Sequence, residues 1–297
     1  MTPREQGFLL LTGYLGDPEA KPLTPSQLRR LTKYAQTMER PTQDRDITAE
    51  DLMAIGCDRA LARKAVYLLE RQEQLKWYIS KGKRGGCVPI TRISGEYPSR
   101  LRAKLAGEAP GSLWAKGDLT LLQGKMVSLV GSRELEEPHA EFAREVGKQA
   151  ALQGYTLVSG NARGADKTAQ ESCLEQGGSV ICVVADELEK HTPRENMLYL
   201  SEEGFDLPFS AQRALQRNRI IHSFSPMTFV AHCRLGKGGT WSGTCNNLEN
   251  NFSQVLCYAD GSKAAEELLC RGAMLIEMES LADFGALQTE TVSFLET

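Results

Sequence analysis

The sequence predicts an α/β fold: a doubly wound, mainly parallel sheet preceded by a small N-terminal helical domain. Three observations lead there. From about residue 126 onward, short aliphatic runs alternate with helical patterns, the mark of parallel strands joined by crossover helices. Two of these runs pass straight into small-residue turns that carry an arginine, "MVSLVGSRE" at Met126–Glu134 and "LVSGNARGADKTAQ" at Leu157–Gln170. The first 80 or so residues, by contrast, read as helical.

In the helical part, Leu23-Thr24-Pro25 marks a helix start with Thr24 as N-cap and Pro25 in the first turn. A second start falls near Thr48, where carboxylates follow in the first turn. Residues Ala60 to Tyr78 carry apolar side chains at helical spacing, and "KGKRGG", Lys81 to Gly86, reads as a flexible basic linker. The expected domains are therefore 1–82 and 83–297. "CVPIT" from Cys87 is a short strand, and "GSLWAKGD" contains a further one. Val127–Val130, Thr156–Ser159, Val180–Val184, Thr228–Ala231, Gln254–Ala259 and Ala273–Glu277 are the strands of the regular region. Pro138–Gln153, Ala165–Gln176, Met197–Gly204 and Gln212–His222 read as its helices. In such sheets ligands bind beyond the carboxyl ends of the strands, where both arginine-bearing turns lie.

With 297 residues, 41% of them hydrophobic, the chain can bury a sizeable core. Its eight cysteines are scattered without a C-x-x-C pair, so reduced thiols in a cytoplasmic protein are expected, and no signal peptide or membrane span is read. None of the four histidines pairs with a cysteine at metal-ligand spacing, which argues against zinc. No cofactor is expected. Nor do the residues form a nucleophile elbow or a carboxylate pair with assignable roles, so no catalytic residue is expected.

The net charge of −3 is unevenly spread. No Asp or Glu occurs from Leu207 to Asn247, while Arg213, Arg217, Arg219, Arg234 and Lys237 all fall inside, and a local positive patch is expected. Gly131-Ser132-Arg133 offers backbone N–H groups at a helix start and a guanidinium for an anion. Gly160, Arg163 and Lys167 repeat the arrangement one strand later; Asp166 there suits a helix cap, and Arg163 is as apt to pair with a carboxylate as to meet a ligand. A third glycine-rich turn, "GKGGTWSGT" at Gly236–Thr244, can cradle a phosphate with Gly239 and Thr240 and stack a base on Trp241. Trp241 can equally pack beneath that turn. Arg217 and Arg219 stand two residues apart on one helix and cannot point the same way, so one faces ligand and the other a structural partner.

The segments "VSLVGSRE", "GYTLVSGNARGADKTAQESCLEQGG", "PRENMLYL" and "QRNRIIHSFS", with the lead-in "EYPSRLRAKLAGEAPGSLWAKGD", resemble in order and spacing the DNA-processing protein A (DprA, also Smf) family. The likeness covers roughly Ile90 to Ala231 and, more loosely, the helical N-terminus. It implies a Rossmann-like domain that binds single-stranded DNA, acts as a homodimer and helps load RecA recombinase onto incoming strands during natural transformation, with no membrane association. It also implies Gly131, Ser132, Arg133, Arg217, Asn218 and Arg219 as DNA contacts, followed by Arg163 and Lys167.

Three positions depart from the family pattern. Its Phe-Pro before the Arg-Asn pair is Ala214-Leu215 here, leaving Phe209 or Trp241 for base stacking. Its Ala-His is Ala169-Gln170, and its Ser-Gly-Ser-Leu stretch is replaced by "GKGGTWSGTCNNL". The sequence is expected to end too soon for the winged-helix domain of some members. An alternative is a small-nucleotide sensor on the same fold. Hydrolysis of the kind seen in the "lonely guy" phosphoribohydrolases needs a glutamate after the Gly-Thr, where this chain has Cys245-Asn246-Asn247. The expected dimer face is Val255 to Ile276.

Overall fold

A computed structural model describes residues 1–36 and 46–288. Five helices come first: α1 (Pro3–Thr12), α2 (Pro25–Ala35), α3 (Ala49–Ala54), α4 (Arg59–Leu69) and α5 (Gln72–Arg84). Both expected starts are present as capping boxes. Thr24 Oγ1 accepts from Gln27 N while Gln27 Oε1 accepts from Thr24 N, and Thr48 and Asp51 do the same.

The basic run Lys81–Arg84 is not a linker; it forms the last turn of α5. Lys81 is held 2.6 Å from Asp206, and Tyr78 donates to the same carboxylate at 2.6 Å. Tyr78, Trp114 and Phe205 pack with ring centroids 4.6–5.1 Å apart, so α5 shares its core with the sheet. The composition of the run suggests a loop, but burial of its neighbours on one helical face decides otherwise.

The remaining elements are β1 (Val88–Thr91), α6 (Ser99–Leu105), β2 (Ser112–Gly117), β3 (Met126–Val130), α7 (Glu137–Leu152), β4 (Thr156–Ser159), α8 (Ala165–Glu175) and β5 (Ser179–Val184). They continue with β6 (Met197–Glu202), α9 (Ala211–Phe224), β7 (Met227–Val230), α10 (Gly238–Asn250), β8 (Gln254–Tyr258), α11 (Lys263–Cys270), β9 (Met274–Ile276) and α12 (Phe284–Leu287). Met197–Glu202 is thus a strand, in place of the expected helix. Its run of buried side chains has no period to read; pairing with β5 in parallel and β2 in antiparallel fixes it.

The sheet order is β1-β2-β6-β5-β4-β3-β7-β8-β9, antiparallel only at β1–β2 and β2–β6. The fold is Rossmann-like, as the sequence predicts. Val127 and Leu129 face Phe142 and Ala169 of α7 and α8, while Val130 and Val158 face Ile220 and Ile221 of α9. The chain leaves β3 toward β4 on one side and returns to β7 on the other. The turn after β3 therefore sits at the point where strand order reverses, where this architecture opens a crevice.

Candidate functional site

The crevice is real: a cleft of about 680 Å³ is lined by Gly131, Ser132, Arg133, Phe209, Leu215, Arg217, Asn218, Lys237, Gly239 and Thr240, among others. A second cavity of about 200 Å³ adjoins it, sharing Arg133, Ala162, Phe209 and Arg217 and adding Gly160, Arg163 and Asp186. The three turns singled out in the sequence converge here, after β3, β4 and β7.

The glycines serve close packing. Gly131 lets Ala165, at the start of α8, press against the end of β3. A Cβ on Gly160 would overlap the guanidinium of Arg217. Neither has a positive φ, so the reason for glycine is space rather than a left-handed turn.

Behind the second turn lies a buried polar support. Asp166 Oδ2 accepts from Gly160 N and Ala162 N, each at 3.1 Å. It therefore caps the loop before its helix rather than the helix itself. Arg217 is buried close by and donates to Val183 O at 3.1 Å. Burial pushes Asp166 up from the usual carboxylate range, with Arg217 and the two N–H groups opposing it. The same burial pulls Arg217 down, with Asp166 opposing. Gln170, where the family has histidine, is buried and donates to Ser159 Oγ at 2.5 Å.

The acid-free segment does not make the expected patch. Arg213 donates to the carbonyls of Ala185, Leu207 and Pro208 at 2.7–3.0 Å and to Ser201 Oγ. Arg219 is paired with Glu202, whose carboxyl is raised by burial despite that arginine. Arg234 pairs with Glu134. The two carboxylates come from other parts of the chain, which a local charge count cannot see. Neither Arg213 nor Arg219 lines the two cavities, and Lys167 lies outside them too. Of the two arginines on α9 expected to divide between ligand and structure, Arg217 reaches the cleft wall and Arg219 the structural pair.

Arg133, Arg163 and Lys237 behave differently. All three are exposed, line the cavities, and their side chains have no hydrogen-bond or ion-pair partner among the described residues. Arg163 does not pair with Asp166. The carboxylates on this surface are occupied instead, Glu134 by Arg234 and Asp186 by His191 at 2.9 Å.

The third turn is shorter than its glycines suggest. From Gly238 the chain is already helical, and Lys237 occupies the N-cap without a side-chain cap bond. Helical phase turns Trp241 inward, where it is 9% exposed within the α9-side core and stands 5.6 Å from Arg271. It does not present a face to the cleft. Thr240 Oγ1 donates to Gly131 O at 2.9 Å and Asn218 Nδ2 to Gly239 O at 3.0 Å, so these two residues brace the cleft wall. The exposed aromatic is Phe209, at 55%, with Leu215 at 51% beside it.

The family model for DNA recombination-mediator protein A matches residues 89–284. Protein Smf of Escherichia coli (strain K12) is 29% identical over 194 residues, covering 61% of this chain and 51% of that protein. The chain spans about half the length of this and similar curated relatives. Among solved structures, DNA processing protein A from Streptococcus pneumoniae shares the fold with a TM-score of 0.70, at 24% identity over 93% of this chain and 95% of that one. DNA processing protein A from Helicobacter pylori, described for its single-stranded DNA binding mode, gives 0.55 at 22% identity over 66% and 94% of the two chains.

Proposed function

The chain belongs to the DNA recombination-mediator protein A family, and from that membership we propose that it binds single-stranded DNA along the cleft at the carboxyl edge of its sheet. One observation carries the reading: among the described residues, the side chains of Arg133, Arg163 and Lys237 stand unpaired around a cleft whose other arginines are engaged. Free cations at a strand-order reversal suit phosphates, and the uncapped start of α10 adds backbone N–H groups beside them. Phe209 supplies the stacking face in place of the family's aromatic. The relative from Helicobacter pylori, described as binding single strands, supports the choice of ligand. The protein acts without catalysis in the cytoplasm; no helix among the described residues is long and apolar enough to cross a membrane.

The test is fluorescence anisotropy of a labelled single strand against a duplex across a salt series. Preference for the single strand is expected, and Phe209→Ala should cost about 1–3 kcal/mol of that binding. No binding at low salt overturns the proposal. The finer part is RecA loading by a homodimer formed through Val255–Ile276, where Leu269 and Met274 are exposed. A shorter lag in RecA assembly on single strands is expected, and Met274→Asp should yield a monomer by light scattering. The second reading, a nucleotide sensor, draws on the cleft's volume, which lies within the range of small-molecule sites. It predicts a thermal shift with mononucleotides that depends less on salt than strand binding does and shows base preference.

A further inference from the structure

A second cluster lies at the same edge of the sheet, outside the cleft lining. β7 and β8 run parallel with Val230 opposite Cys257, so the residues just beyond their ends, His232 and Asp260, emerge side by side. α7 crosses above them and contributes His139 from its first turn. His139 Nε2 lies 3.0 Å from Asp260 Oδ2, and His232 Nδ1 lies 3.4 Å from the same oxygen. All three donor atoms fall within 4.8 Å of one another. The two imidazole rings lie tilted against each other with centroids 4.1 Å apart, and Tyr258 closes one side of His139 edge-on at 6.2 Å.

We propose that His139, His232 and Asp260 form a binding site for a divalent first-row cation, with Zn²⁺ the best fit and one position left open to water. Two imidazole nitrogens and one carboxylate are the donor set such borderline cations prefer. Zinc held at its usual bond lengths needs neighbouring donors roughly 3.3 Å apart; the two separations to Asp260 Oδ2 are 3.0 and 3.4 Å, and the two imidazole nitrogens lie within 4.8 Å of each other. The carboxylate is already oriented, because its other oxygen accepts from Ser262 N at 2.9 Å. His139 Nδ1 is buried without a partner among the described residues, so Nε2 is the nitrogen the ring directs at the cluster. The side chain of His232, 23% exposed, gives the ion a way in.

Local spacing argues against a metal because these ligands lie 121 and 28 residues apart and meet only through the fold. An ion here ties α7 to the ends of β7 and β8. Ser132 N donates to His232 O at 3.0 Å, so the same ion steadies the turn that carries Arg133.

The experiment uses the full chain stripped of metal. Zn²⁺ is titrated by calorimetry, with Co²⁺ as the spectroscopic probe. One equivalent, d–d bands without thiolate charge transfer, and a raised thermal midpoint are expected. His232→Gln and Asp260→Asn, each checked by circular dichroism for a native fold, should weaken Zn²⁺ at least tenfold. Absence of saturable binding, thiolate bands from the cysteines, or unchanged affinity in both variants overturns the proposal and leaves a hydrogen-bonded His–Asp–His contact.

Discussion

The turns after β3 and β4 and helix α9 each carry arginines near one edge of the sheet, yet the two regions use them in opposite ways. In the turns, Arg133 and Arg163 are exposed and unpaired among the described residues. On α9, Arg213 is wired to carbonyls, Arg217 is buried behind the second turn, and Arg219 is bound to Glu202. Residue type is the same; what differs is whether the surrounding backbone and carboxylates have already taken the guanidinium. A cation free of partners can exchange solvent for a phosphate at little cost, whereas an engaged one must first give up its bonds.

The sharpest break of this comparison is Arg217→Met. If Arg217 is a support, its loss leaves Asp166 buried without its compensating charge and Val183 O without its donor. Stability should fall by on the order of 3 kcal/mol in urea unfolding. A variant of wild-type stability that had lost only DNA affinity would move Arg217 into the other class.

A second large effect belongs to pH and to the same helix. Burial, aided by the charge of Arg217, holds His222 down to about 3. Its Nδ1 accepts from Asn247 Nδ2 at 3.0 Å, as only a neutral ring can. The unfolded histidine binds a proton near pH 6.5 and the folded one does not, so stability is full above that value. It should decline by a few kcal/mol in total as pH falls from about 6.5 toward 3. His222→Gln should flatten the part of the urea-midpoint profile lying near pH 6, above the range where carboxylates titrate. An unaltered profile there would mean that His222 is not held neutral.

Gly160→Ala sharpens the contrast with a smaller change. The added methyl meets the Arg217 guanidinium, so the support must shift, at about 1–3 kcal/mol. Combined with Arg217→Met, the cost should be less than additive, because the atom it collides with is gone. Additive losses in a double-mutant cycle would place the strain elsewhere.

How far this is legible in the sequence follows from the same contrast. Strand–turn–helix periodicity exposes the parallel sheet and the turns at its edge, because those signals are local. β6 is not legible as a strand, since Met197–Ser201 is buried throughout and has no alternation to read. The free cations Arg133 and Arg163 are found through their turns. The engaged ones are not separable from them, because Glu202, Glu134 and the carbonyl of Val183 lie far along the chain from the arginines they hold. Trp241 inverts for a related reason: four glycines between Gly236 and Gly243 suggest a loop, yet helix α10 starts at Gly238 and turns the indole inward.

The mildest perturbation is the one most specific to function. Arg133→Ala, Arg163→Ala and Lys237→Ala remove exposed side chains with no partner to strand among the described residues, so each should leave stability within about 0.5 kcal/mol of wild type. Their effect should appear only in binding. Each cation that no longer neutralises a phosphate lowers the slope of log affinity against log salt by about 0.7 for a single strand, so the triple variant should fall by about two units. A support residue behaves otherwise: its loss reduces affinity together with the fold. Measuring unfolding and salt slope on the same preparations therefore separates the two regions. Equal slopes for wild type and the triple variant, at equal stability, would mean that phosphates do not follow this edge of the sheet.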